Sequence, residues 1–252
     1  MEKTQIIRNL EALFQVCYSK EQNFLRTGGG KQNDARVTFH KHLISTLNST
    51  IHLMIFSDTT LSTEDWWAKK LPKYKINKRI FSTSTLESRQ IEKRYIDRYL
   101  QFSFFNSVFQ TFESSFRIIC EKCFGDENYI SKENGEKNKR DIKDLCEVIL
   151  KKLDLLDKDR ENFLEIVIHF KNSLHNNAVY ISENQKSTPT TYRWKHNSYL
   201  FSHSKQIKLE SNSDLWTEYI KFTRELISIF TEVIDHPTVK KYRFIEDITE
   251  IA

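Results

Sequence analysis

Glycine and proline are scarce in this sequence, with five and three copies among 252 residues. An all-β fold needs frequent tight turns, and those turns are built largely from these two residue types. Their scarcity excludes such a fold and leaves long helices as the natural outcome. Methionine is also rare, two copies against 18 phenylalanines, so a stiff aromatic core is expected rather than an adaptable Met-rich groove. No apolar run approaches the length that spans a bilayer, and the opening stretch MEKTQIIRNLEALF has no signal-peptide core. Strong charge of either sign is missing too. The net charge of +5 permits contact with RNA or an anionic surface without demanding it, because acidic residues are interspersed among the lysines. The four cysteines, Cys17, Cys120, Cys123 and Cys146, are expected to be reduced thiols in the cytoplasm.

What is present is helical periodicity. Residues 4–25 carry Ile6, Ile7, Leu10, Leu13, Phe14, Cys17 and Phe24 mostly at three-and-four spacing, an amphipathic helix. Residues 26–34 hold three glycines and read as a flexible linker. A second helix is expected over 35–56, with Phe39, Leu43, Leu47, Ile51 and Ile55 every four residues. Residues 57–84 are less regular. The longest helix is expected over 85–124, where Phe102, Phe105, Phe109, Phe112, Phe116, Ile119 and Cys123 form a continuous stripe and Gly125 stands where a C-cap belongs. After a charged loop at 126–140, helices are expected over 141–155 and 159–178. Tyr192-Arg193-Trp194 and Tyr199-Leu200-Phe201 then read as a small β-hairpin or three-strand meander near 191–210. Ser211 or Ser213 can cap a final helix, which Asp235-His236-Pro237 stops. The fold class expected is therefore an all-α helical bundle with that insert. Its organisation is an N-terminal helix (1–25), a linker (26–34), a helical region (35–84) and a bundle (85–252), with 35–252 as one continuous domain in the alternative division.

Several short motifs have bland explanations. Gly28-Gly29-Gly30-Lys31 lacks the earlier Gly, the following Ser or Thr and the preceding strand of a phosphate loop, so it reads as linker. Cys120 and Cys123 have the spacing of half a zinc site, but no second pair follows and both fall on the long helix; they read as packed core thiols. His40 and His42, two apart, point away from each other on a helix and read as surface histidines with no metal. Lys69, Lys70, Lys73 and Lys75, close to Trp66 and Trp67, combine phosphate-neutralising cations with stacking rings and are a candidate single-strand nucleic-acid contact.

The stretch Lys171-Asn172-Ser173-Leu174-His175 carries more chemistry. Residues four apart share a helix face, so Lys171 and His175 can both reach one phosphate. A histidine can shuttle a proton near neutral pH, a lysine can stabilise developing negative charge, and Asn172 offers an amide to a ribose or phosphate oxygen. This stretch resembles the motif of the HEPN superfamily, helical bundles that carry an Arg, a polar residue (often Asn), a few further residues and a His. The Phe-rich helix with Phe112-Glu113-Ser114-Ser115-Phe116-Arg117 before it, Asn176-Asn177 after it and a closing helix agree with the resemblance, which covers residues 85–236.

The resemblance implies a metal-independent endoribonuclease or RNA-binding protein of a toxin or phage-defence system, without a cofactor. It implies a homodimer whose site forms at the interface, RNA as substrate, and a protein partner from the same system. Lys171, Asn172 and His175 become the catalytic candidates, with Glu113 and Arg117 in support. Two departures stand out: Lys171 replaces Arg, losing the planar bidentate fork, and the gap to His175 is shorter than the usual spacing. The rival reading is a non-catalytic dimerisation or interaction module with a degenerate motif.

Overall fold

A computed structural model describes residues 2–27, 31–70, 86–125, 130–133, 136–174, 179–181, 188–209 and 214–247. The described residues form an all-α bundle with small antiparallel β insertions. The helices are α1 (Lys3–Thr27), α2 (Ala35–Leu61), a short π-helix (Trp66–Lys70), α3 (Leu86–Phe124), α4 (Ile142–Lys152), α5 (Lys158–Leu174), α6 (Leu215–Asp235) and α7 (Pro237–Lys240). The strands are β1 (Ile130–Glu133), β2 (Glu136–Lys139), β3 (Val179–Tyr180), β4 (Thr190–Trp194), β5 (Asn197–Phe201), β6 (Lys205–Gln206) and β7 (Lys208–Leu209).

Local chemistry sets the ends of these helices. Asp34, Asp141 and Asp214 are the N-caps of α2, α4 and α6, each accepting a backbone N–H of its first turn. The cap of α6 is thus Asp214, not Ser211 or Ser213, which lie outside the described residues. A carboxylate directly before Leu215 satisfies the Thr217 N–H at 2.9 Å and complements the positive end of the helix. Gly125 takes a φ of 76° after α3, as a left-handed C-cap requires. His236 and Pro237 end α6 and start α7, with Pro237 in the first turn where its missing N–H costs nothing.

One hydrophobic core runs from Ile6 on α1 to Ile245 after α7, so the glycine-rich link does not separate two cores. Phe104, Phe105, Phe109, Phe112 and Phe116 of α3 are all buried in it. Phe105 stacks on Tyr219 of α6 at 4.5 Å, and Phe39 of α2 stacks on Phe230 of α6 at 3.8 Å. The expected stripe on α2 is interrupted: Met54 and Ser57 are buried while Ile55 is exposed. Strict four-residue spacing drifts around a helix of 3.6 residues per turn, so the buried line moves off Ile55.

The three-stranded meander β4-β5-β7 occupies the expected place. Trp194 pairs with Asn197 across a two-residue turn in which Lys195 has a φ of 53°. The hairpin closes over α5 and α6, with Trp194 4.9 Å from Phe163 and the Tyr199 hydroxyl donating to the buried Glu218 at 2.5 Å. Two ladders were not expected. β1 and β2 pair within the stretch read as a charged loop, and β3 pairs with β6. Neither carries an apolar alternation that would mark it. No helix among the described residues is long and apolar enough to cross a membrane.

Candidate functional site

The C-terminal half of α5 carries the described part of the motif. Phe163, Val167 and Phe170 are buried against α3, α6 and the meander, which fixes the rotation of the helix. Lys171 is then left half-buried at the edge of that stripe. Its ammonium lies 5.8 Å from the ring centre of Phe109 on α3, a cation–π distance. Asn172 is exposed, and Ser173 is buried with its hydroxyl donating to the Phe170 carbonyl at 2.7 Å. His175, Asn176 and Asn177 lie outside the described residues.

A polar line on α5 escaped the sequence reading. Glu165, His169 and Asn172 are spaced four and three apart and share one face. His169 Nε2 is 3.7 Å from Glu165 Oε2, an ion-pair distance longer than a hydrogen bond. The imidazole is set among the rings of Tyr180, Tyr192 and Phe201, at 4.9, 5.6 and 4.8 Å between centres. Lys143 on α4 donates to Glu165 at 2.9 Å and lies 3.4 Å from Glu147. Partial burial works against the charge on Lys143, but these two carboxylates win and raise its pKa. The Tyr192 phenol is also raised, first by burial and then by the Glu165 charge. A histidine facing a carboxylate and walled by rings is suited to proton transfer. The signal in the sequence was the i,i+4 pair Glu165–His169.

Glu113 and Arg117 are engaged with each other and with the chain before α4. Arg117 donates through Nε and one terminal nitrogen to Glu113 Oε1, at 2.9 and 2.8 Å. Its other terminal nitrogen donates to the Arg140 carbonyl at 2.9 Å. The pair ties α3 to the start of α4 and stands one turn beyond Phe109, the ring under Lys171.

The basic and aromatic stretch is described only in part. Trp67 is buried, its indole N–H donates to the Leu61 carbonyl at 2.9 Å, and the Arg89 guanidinium lies 5.9 Å from its ring centre. Trp66 meets Phe56 edge-on at 6.2 Å. The side chains of Lys69 and Lys70, and all of Lys73 and Lys75, lie outside the described residues.

All four cysteines are free and buried. Burial, then the Glu21 charge, pushes the Cys17 thiol up to about 12; burial, outweighing Arg36 and Lys241, pushes Cys123 up to about 11. Among the described residues no group of three or more potential ligands could hold a metal ion. His40 departs from expectation: it is 1% exposed, not a surface residue. Its neighbours Phe39 and Phe230 draw that face of α2 into the core.

No family model, curated protein or solved structure matches the chain.

Proposed function

We propose that this chain is a HEPN-like, metal-independent endoribonuclease or RNA-binding protein, acting in the cytoplasm as a homodimer within a toxin or phage-defence system. The reading is carried by one observation. Lys171 and the exposed Asn172 fall in the last turn of α5, Lys171 at the edge of a buried stripe and Asn172 in line with His169 and Glu165. In this mechanism His175 takes the proton of a ribose 2′-hydroxyl as the oxygen attacks the adjacent phosphorus. Lys171 offsets the charge that builds on the phosphate, and Asn172 holds a non-bridging oxygen. The leaving 5′-oxygen takes a proton, giving a 2′,3′-cyclic phosphate and a 5′-hydroxyl. His169 is the second histidine available for that proton.

The Phe-rich part of α3 is used by the chain's own core, so pairing of two copies has to use other surface. The exposed line Ile91, Tyr95 and Tyr99 on α3, at i, i+4 and i+8, is suited to it.

The test is cleavage of structured and single-stranded RNA by wild type, His175→Ala and His169→Ala. Each loss of a general acid or base lowers the rate by roughly 10² to 10⁴, and EDTA leaves the wild type unaffected. Lys171→Arg keeps or raises activity by restoring the bidentate fork. A folded protein without cleavage or RNA binding, and with both histidine variants indistinguishable from wild type in cells, defeats the proposal. The second reading, a non-catalytic interaction module, then holds. Two observations favour it: Lys171 rests on Phe109 and balances the negative end of α5, and the Glu113–Arg117 pair is occupied in joining α3 to α4.

A further inference from the structure

We propose that a cavity of about 460 Å³ bounded by α1, α2, α6 and the segment after α7 binds a small phosphomonoester that carries a hydroxyl group. Its residues are distinct from those on α5, and the inference does not depend on the RNA reading.

Two buried side-chain atoms lack a protein partner among the described residues: His40 Nε2 and Thr231 Oγ1. Their residues are only 1% and 9% exposed, and both line this one cavity. Buried polar atoms without a partner are uncommon because each costs its lost hydration. Two on one cavity, from different helices, mark it as a place where a ligand supplies the missing bonds. The tautomer of His40 follows from its other nitrogen. Nδ1 lies 3.0 Å from the Arg36 carbonyl and so donates, which leaves Nε2 as an acceptor. Burial, supplemented by the nearby Lys20 charge and opposed by the Arg36 bond and Asp235, lowers the His40 pKa to about 4. The ring is neutral at pH 7. Its Nε2 takes a donor such as a hydroxyl, and the Thr231 hydroxyl can give or receive.

The charged lining selects the rest of the ligand. Arg36 forks onto Asp34 at 2.8 and 2.7 Å, and Lys240 meets Asp235 at 3.1 Å, so these cations are neutralised. Lys20 and Arg243 also line the cavity, and neither has an ion-pair partner among the described residues. Two uncompensated positive charges beside two hydrogen-bonding atoms suit a dianionic phosphate on a hydroxylated body. The cavity also falls in the size range of small-molecule sites. Phe24 and Tyr242 add ring surface to its wall.

The experiment is calorimetric titration of the full chain with ribose 5-phosphate, glucose 6-phosphate and inorganic phosphate. At least one sugar phosphate should bind, at least about tenfold more tightly than inorganic phosphate, the equivalent of roughly one good hydrogen bond. Thr231→Val and Lys20→Met should each weaken it by about tenfold or more. His40→Phe should abolish binding yet raise the melting temperature, since a ring among Phe39 and Phe230 replaces an unsatisfied nitrogen. Absence of binding by both sugar phosphates overturns the proposal. Equal binding of inorganic phosphate overturns it as well, and so does affinity unchanged in Thr231→Val and Lys20→Met, either of which leaves the buried atoms without a role.

Discussion

His40 ties acid sensitivity to a single ring. Its pKa is lowered from 6.5 to about 4, chiefly by burial, so the unfolded chain binds this proton more readily than the folded one. The neutral ring carries no protonation penalty above pH 6.5, and stability is lost as pH falls from there toward 4. At full effect the loss is roughly 3 kcal/mol, a large share of a typical domain's margin. Urea unfolding followed between those pH values should show a declining midpoint, and His40→Phe should flatten the decline. An unchanged slope in the variant would assign acid sensitivity to other groups. The charges around the ring, Lys20 and Asp235 with Lys240 and Arg243 nearby, act in opposing directions and are expected to shift the midpoint less than burial does. At the same scale the cysteines are inert by placement. Burial raises every thiol, which withholds the reactive thiolate.

Among the elements, α3 shows how a 39-residue helix is stopped cleanly. A Cβ placed on Gly125 would meet nothing within 4 Å, so the demand there is purely conformational. Gly125→Ala should cost about 1 kcal/mol and Gly125→Asn less, because asparagine tolerates the left-handed region better. Denaturant titration distinguishes the two. Such punctuation was readable in advance: Gly125, His236-Pro237 and the three-and-four apolar spacing mark most helices to within a few residues. The meander was legible from Tyr192, Trp194, Tyr199 and Phe201 at period two. The β1–β2 ladder was not, because Ser, Lys, Glu and Asn carry no strand signature. Nor was the burial of His40, which depends on Phe230 arriving from 190 residues away in the chain. At the candidate site the sequence marked Lys171 and Asn172 by type and spacing. It did not mark the rings around His169, which the meander and β3 bring to α5 only after folding.

At the scale of the whole molecule, the segment after α7 closes the bundle. The Ala35 N–H donates to the Ile245 carbonyl at 2.8 Å, and the Asp247 N–H to the Asn33 carbonyl at 2.9 Å. Thr38 donates its hydroxyl to the Asp247 carboxylate, and Arg36 donates to the Tyr242 carbonyl at 3.0 Å. Asp34 and Arg36 are almost wholly buried under this strap, so removing it uncovers an ion pair and takes the buried Ile245 side chain out of the core. Truncation after Lys240 should therefore cost about 3 kcal/mol or more, seen as a lowered melting temperature. Calorimetry of the intact chain should give one cooperative transition, as a single core running from Ile6 to Ile245 requires. Two separate transitions would instead favour a division of the chain, as between the helical region 35–84 and the bundle 85–252.

The strap also sets a clock on biosynthesis. The amide of Ile245 reaches Asp34 across 211 residues of chain, so the start of α2 leaves the ribosome long before its partner has been made. At about 5–20 residues per second the wait is on the order of ten to forty seconds. During that interval Phe39, Leu43 and Leu47 of α2 lack α6, and the early packing partners of α2 are α1 and then α3. The nascent chain is then most in need of a chaperone in its first half, and synonymous codons that slow translation before α6 would lengthen the exposure without altering one atom of the finished protein.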